Sequence, residues 1–402
     1  MFEPPHSMAK MRRAVKNDVA IIGGGPSGLS LAASLGAAGL SVVCLEREAI
    51  RKKSRPDGRT TALSYRSQKI LKSSGVWPRL EKQACPILDI RVADQHAPLY
   101  LDFHHHEVGN SPFGWIVENR IFHKALNQRV RELKNVHVIE ATAVQKIEND
   151  GHQARIILND GQIICSALVV GADGRRSICR EQANIPVYGW NYGQTAIVCT
   201  IEHSAPHHNV AVEHFLPGGP LATLPMLNQR SSIVWTEKAA VADYIMKMEE
   251  AEFTAELEEK VLSWLGHIKL ASQRFAYPLN LQHARRYTAP RIALIGDAAH
   301  GIHPIAGQGF NLGMGDIEVL TDEIIRATRL GLDVGDPSIL LNYERRRKFD
   351  NGNMVLVTDI LDRLFSNAIP PVQAARRLGL GMVQKIPPLR KFFMRVAMGE
   401  TA

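Results

Sequence analysis

The run Gly23-Gly-Gly-Pro-Ser-Gly28 places glycine at the first, third and sixth positions of a turn. It follows the apolar run Val19-Ala-Ile-Ile22 and precedes residues 29–38, which are rich in helix formers. Glycines so spaced allow a tight turn and the close approach of a pyrophosphate, whose charge is favoured by free N–H groups at the helix N-terminus. Alone, the pattern is weak. Glu46 strengthens it, because it lies 18 residues beyond Gly28 at the end of a second apolar run, Ser41-Val-Val-Cys-Leu45. An acid there is placed to accept from ribose hydroxyls, which points to FAD or NAD rather than NADP.

Two further segments put an acid and small residues after an apolar strand, where ligands bind in open parallel sheets. They are Gly171-Ala-Asp-Gly-Arg-Arg-Ser177 and Gly296-Asp297-Ala-Ala-His300. Asp297 is placed to accept from ribityl hydroxyls; the alternative for Asp173 or Asp297 is to cap the next helix. The groups His300-x-x-His303 and His104-His-His106 have only Asp297 and Glu107 as nearby acids and no cysteine, so no metal site is expected. No GxSxG elbow occurs, so a serine hydrolase has no support.

The elements that position these residues are legible. Residues 19–46 read as a βαβ unit with parallel strands, the helix stopped by Gly39. Strands are expected at 136–139, 143–147, 154–158 and 163–170, a meander that returns to the parallel sheet, and at 291–295. Residues near 87–103 and 186–237 alternate with Pro/Gly turns and read as an antiparallel second domain. Residues 247–265 read as an amphipathic helix with Phe253, Leu257, Val261 and Trp264 on the packing face. The expected fold is α/β: a discontinuous Rossmann-like dinucleotide domain (17–86, 113–182 and 283–350), an antiparallel-sheet domain (87–112 and 183–282) and a helical basic tail (351–402).

The 402-residue chain has 48 Lys+Arg against 40 Asp+Glu and 45% apolar residues, an ordinary globular mixture. No stretch reaches the roughly 18 uninterrupted apolar residues of a membrane helix. The five scattered cysteines make no CxxC pair, which fits a reducing compartment. The first 16 residues lack the apolar core of a secretory signal, and Met8 and Met11 are alternative starts. Most of the excess charge sits at the end: Arg363, Arg376, Arg377, Lys385, Arg390, Lys391 and Arg395 face one acid, Glu400. They alternate with apolar residues, which suits an amphipathic surface on an anionic membrane or a packed helix with a solvated basic face. Nothing resembles a nucleic-acid readout module, so no nucleic acid is expected as a partner.

The stretch His303-Pro-Ile-Ala-Gly-Gln-Gly-Phe-Asn-Leu-Gly-Met-Gly-Asp316 resembles the signature of the ubiquinone-biosynthesis hydroxylase family, within the class A flavoprotein aromatic monooxygenases. Agreeing elements are Asp57-Gly-Arg-Thr-Thr-Ala-Leu-Ser64, Val117-Glu-Asn-Arg120, Asp173-Gly174 and Phe215-Leu-Pro-Gly-Gly-Pro-Leu-Ala-x-Leu-Pro225. The likeness covers about residues 18–399. It implies FAD as cofactor, with Pro304, Gly307, Gln308 and Gly309 lining the isoalloxazine ring and a helix starting near Phe310. Free N–H groups there can face the edge where charge collects on reduction. Gly313 and Gly315 fall early in that helix at about 1 kcal/mol each, which implies close approach to a ring or strand.

The cofactor-binding set it implies is Gly23, Gly25, Ser27, Gly28, Glu46, Arg47, Arg59, Arg120, Asp173, Asp297, Pro304, Gly309, Phe310 and Asn311. The substrate wall is expected at Phe215, Gly219, Pro220 and Leu224, and the bound metal set is empty. The implied reaction is hydroxylation of a polyprenylphenol ring by O₂ through C4a-hydroperoxyflavin, with no protein nucleophile. Electrons come from NAD(P)H or from a separate redox protein, since there is a single GxGxxG. Expected partners are the polyprenylated phenol, a multi-enzyme ubiquinone-synthesis complex and the inner face of a membrane, with the protein cytoplasmic. The rival readings are a hydroxylase of soluble aromatic compounds and a non-catalytic flavoprotein scaffold.

Overall fold

The computed structural model describes residues 15–49, 58–94, 100–261, 263–301, 308–365, 383 and 385–399. The expectations for Pro304 and Gly307 fall outside these residues.

The first sheet starts from β1 (Val15–Ile22), which passes through the glycine turn into α1 (Pro26–Ala37) and then β2 (Val42–Leu45). From Val19 to Ile22 and along all of β2 the strands are apolar and buried, as strands covered on both faces must be. The parallel order runs β19 (Ile292–Leu294), β11 (Ile163–Gly171), β1, β2 and β8 (Val136–Ile139), with β18 (Thr288–Ala289) on the edge. β9 (Val144–Asn149) and β10 (Ala154–Leu158) lead antiparallel into β11, which is the expected meander and return. One large core joins this sheet to α1, to α3 (Asn119–Glu132) and to α7 (Gln308–Arg329). α4 (Ile178–Gln182) follows β11.

The second sheet has the order β20 (His300–Gly301), β17 (Phe275–Ala284), β12 (Val187–His203), β15 (Arg230–Lys238), β14 (Gly219–Met226), β13 (Val210–Leu216), β5 (Asp89–Asp94) and β6 (Tyr100–His104). β16 (Ile268–Leu270) adds to β12. The sheet is antiparallel except where β5 runs parallel to β13, a departure from the expected all-antiparallel unit. One face packs on α5 (Ala239–Ile245) and α6 (Glu250–Lys260) through Trp235, Ile197, Phe253 and Leu257. The expected helix over 247–265 is therefore shorter. It begins at Glu250 and ends at Lys260, and Trp264 falls in a separate 3₁₀ turn.

A small third sheet of β3 (Thr60–Ser64), β7 (Gly114–Glu118) and β4 (Cys85–Ile87) lies between them, with α2 (Tyr65–Ser73) following β3. α8 (Pro337–Phe365) packs on α7. The last helix, α9 (Pro387–Ala397), is not a free tail. Met394 and Met398 are buried with Phe103, Phe113 and Ile116, and Met398 O accepts from Arg66 N at 3.1 Å.

Candidate active site

The glycine turn is built by close backbone approach. Gly23 has φ +108°, and a Cβ there would sit 2.4 Å from Ala172 O; a Cβ on Gly28 would sit 1.9 Å from Gly23 O. Gly25 differs, because a Cβ there meets nothing within 4 Å. α1 begins at Pro26 with no side-chain cap on Gly25, so the open space lies at a helix N-terminus whose first donors need an acceptor. Ser27 Oγ lies near Gly296 and Gly313, where the first turn, the Asp297 turn and α7 come together.

Glu46 is buried and holds the turn itself. Its carboxylate accepts from Gly24 N at 2.7 Å and from Glu48 N at 2.9 Å. His123, which sequence reasoning missed, donates from Nε2 to Gly24 O at 3.2 Å. Arg47 is exposed at the end of β2, and Arg120 is exposed in the first turn of α3. Arg59 stands over the Tyr277 ring at 5.1 Å, which ties β3 to the second sheet.

Asp173 Oδ2 accepts from Cys179 N at 3.2 Å, while its buried Oδ1 has no partner. Burial and then Asp173 push the Cys179 thiol well above its ordinary range. Asp297 is exposed and pairs with Arg175 at 3.6 Å. Arg180 links the two strand-end turns, donating to Ala298 O at 2.9 Å and to Arg175 O at 2.7 Å.

α7 begins at Gln308, two residues ahead of the expected start. Phe310 packs edge-on against Phe122 at 5.3 Å. A Cβ on Gly313 would lie 3.3 Å from Gly296 Cα, which is the close backbone approach expected of that glycine. Gly315 instead makes room for the Arg347 guanidinium, 2.8 Å from where its Cβ would be. That guanidinium donates to Asp316 Oδ1 at 2.9 Å, and His300 Nε2 bonds Asp316 Oδ2 at 2.6 Å. All three side chains are buried. Burial would raise the Asp316 carboxyl, but the facing His300 and Arg347 charges outweigh it and hold it well below the usual carboxylate range.

The second sheet turns its other face toward these elements. Thr60 Oγ1 donates to Ser232 Oγ at 3.0 Å, and the Phe275 ring lies against Gly58. Phe215 and Pro220 are paired across β13 and β14, both buried. Gly219, at φ +146°, turns tightly against Thr236. Leu224 packs with Met226, Ile116 and Met394. A cleft of about 240 Å³ beside Met226, Ile121 and Arg230 is below the roughly 300 Å³ at which ligand pockets begin. Among the described residues, no helix is long and apolar enough to cross a membrane, and no group of three or more His, Cys, Asp or Glu could hold a metal ion.

The open space at Gly25, the uncapped start of α1 and the unpartnered Asp173 Oδ1 fit a bound dinucleotide. A GxGxxG sheet domain joined to a second sheet in this way has the fold of the FAD-binding monooxygenases. The FAD binding domain family matches residues 16–355. The p-nitrophenol 4-monooxygenase PnpA of Pseudomonas putida DLL-E4 shares the fold, with a TM-score of 0.79 at 20% identity over 96% of this chain and 98% of that one. The ubiquinone hydroxylase UbiL of Rhodospirillum rubrum is 45% identical over 95% of this chain and 89% of its own length. The 3-demethoxyubiquinol 3-hydroxylase of Escherichia coli K12 is 31% identical over 95% and 98%. The chain belongs to the ubiquinone-biosynthesis hydroxylase family of class A FAD-dependent monooxygenases.

Proposed function

We propose that this protein hydroxylates the aromatic ring of a polyprenylphenol in ubiquinone biosynthesis. The observation that carries the reading is the second sheet, held face-on to the flavin elements by the Thr60–Ser232 bond and the Arg59–Tyr277 stack. When bound, FAD would supply the activation of O₂, one atom of which enters the ring. The protein's own residues position and exclude. The N-terminus of α1 takes the pyrophosphate, Asp173 and Asp297 take hydroxyls of the cofactor, and Phe215, Pro220 and Leu224 form the wall against which the ring is held dry. In this reading residues 17–86, 113–182 and 283–350 carry the flavin, and residues 87–112 and 183–282 carry the substrate. Electrons enter from NAD(P)H or a separate redox protein, and the enzyme works beside the other enzymes of quinone synthesis.

The membrane contact in this reading is made by α9. Its buried side holds Met394, so its outward side carries Lys391, Phe392, Phe393 and Arg395, with the two rings 46% and 38% exposed. Cations beside exposed rings suit the anionic inner face of a membrane. Because Met394 and Met398 belong to a core, removing the tail would perturb folding, and a surface change is the cleaner test. A Phe392→Ser, Phe393→Ser protein is expected to keep its flavin and leave anionic vesicles; unchanged vesicle binding contradicts the membrane role.

The function itself is tested by lipid analysis of a strain lacking the protein. Loss of ubiquinone with accumulation of an under-hydroxylated prenylphenol is expected. Unchanged ubiquinone overturns the reading, and hydroxylation of soluble phenols with matched donor consumption would favour a soluble substrate instead.

A further inference from the structure

β13 carries a carboxyl side chain toward the flavin side of the second sheet. Side chains alternate along a strand, and His214 Nδ1 donates to Lys260 O at 3.2 Å on the α6 side. Ala211, Glu213 and Phe215 therefore face the opposite way. Ala211 confirms the direction, since it is buried with Phe113 and Ile116 against Ala62, Tyr65 and Met394. In its row across the sheet, Glu213 is in register with Val92 and Ala222, and the row continues through Val234 and Val198 to Phe275. Phe275 is the ring that lies on Gly58. Glu213 is thus the ionisable member of an otherwise apolar row that faces the flavin elements.

Among the described residues it makes no hydrogen bond or ion pair, although its side chain is half-buried in apolar surroundings. The charged groups packed against this face are engaged elsewhere. Arg59 stacks on Tyr277, Arg230 pairs with Glu118 at 3.0 Å, and Arg390 bonds Asp102 O at 2.6 Å and pairs with Glu107. Arg91, in register with Val212, points to the opposite face and pairs with Asp102 at 2.7 Å. An unpaired carboxyl in an apolar wall is costly unless something polar meets it there.

We propose that Glu213 is the base that takes the hydroxyl proton of the bound phenol. The substrate O–H bond breaks, its electron pair stays on the phenolate oxygen, and a new O–H bond forms on the Glu213 carboxylate. The phenolate spreads negative charge to its ortho and para carbons, which makes the ring a better acceptor of the oxygen atom. The proton then leaves Glu213 for water as the product departs. Burial pushes the Glu213 carboxyl up to about 7, so it is half ionised at neutral pH and available as a base above it, whereas an ordinary phenol ionises near 10.

This inference rests on the phenol-hydroxylase reading, and the test separates the two. Flavin-loaded wild type and Glu213→Gln are reduced chemically, mixed with prenylphenol and O₂, and their hydroxylation rates are followed against pH. Wild type is expected to rise with pH to a plateau with its midpoint near 7. Glu213→Gln is expected to keep its flavin, lose that inflexion and fall about 100-fold at neutral pH. It should recover most of the loss on a ring-fluorinated phenol that is already ionised. A wild-type pH profile in Glu213→Gln, or an equal loss on both phenols, overturns the assignment while leaving the enzyme reading intact. A wild type that makes no hydroxylated product sinks both.

Discussion

Asn311, in the first turn of α7, accepts the backbone N–H of Ser64 at 2.9 Å, and its amide donates to Ala62 O at 2.9 Å. One side chain thus stitches the signature helix to the edge of β3, and Ser67 Oγ donates to the same amide oxygen at 2.8 Å. The position of α7 beside the flavin turn depends on this clamp. Asn311→Leu would leave the Ser64 N–H and the Ala62 carbonyl without these partners, at about 1–3 kcal/mol each. Urea unfolding followed by flavin fluorescence should show lower stability and a lower flavin content; an unchanged midpoint would show the clamp to be incidental.

Gly23 and Gly25 should respond in opposite ways to the same change. Gly23→Ala forces a left-handed φ and a collision with Ala172 O, so it should reduce soluble, folded protein. Gly25→Ala meets no protein atom, so it should fold as well as wild type and lose flavin. Circular dichroism and the flavin-to-protein absorbance ratio separate the two effects. A Gly25→Ala protein with full flavin content would remove the pyrophosphate from this turn.

The buried Asp316 carboxylate faces Arg347 and His300, and removing it strands both. Asp316→Ala should cost about 3–5 kcal/mol, the usual consequence of leaving a buried charge uncompensated. Its folded carboxyl titrates below its ordinary value of 3.8, so its stabilising contribution is complete above that pH. The contribution is lost only as pH falls through the folded value. Above pH 5, the stability difference between wild type and Asp316→Ala should not change because of Asp316 itself.

His283 works in the same direction, in a higher pH window. Burial pushes its imidazole down to about 4 from 6.5, and its Nε2 accepts from Tyr287 OH at 2.8 Å while Nδ1 donates to Ala284 O at 3.0 Å. The unfolded chain therefore binds a proton at this site sooner than the folded one. Stability contributed by neutral His283 is complete above about 6.5 and falls as pH drops toward 4. His283→Gln should flatten that part of the curve of melting temperature against pH, and an unaltered slope would assign the acid sensitivity elsewhere.

The legible parts of this molecule were the local ones. The βαβ unit announces itself because its strands are buried on both faces, and residues 143–170 read as a meander and return because polar turns separate short strands. Apolar spacing found α6 but not its ends, since Phe253 and Leu257 mark a face and say nothing of where the chain turns. The parallel pairing of β5 with β13 joins residues more than a hundred positions apart and leaves no local pattern. The Asp316 cluster was hidden for the same reason, because Arg347 and Asn351, one turn apart on α8, reach Asp316 from far along the chain, and Tyr287 joins through Asn351. Glu213 carried a readable signal. It lies two residues before Phe215 on the same face of a strand, and alternation alone places it there.

The central claim is most directly tested by incubating the flavin-loaded protein with a prenylphenol, an electron donor and ¹⁸O₂. The account predicts a hydroxylated prenylphenol carrying one ¹⁸O atom at its new hydroxyl, formed only with bound flavin. Reduction of O₂ without labelled phenol under the same conditions would contradict it.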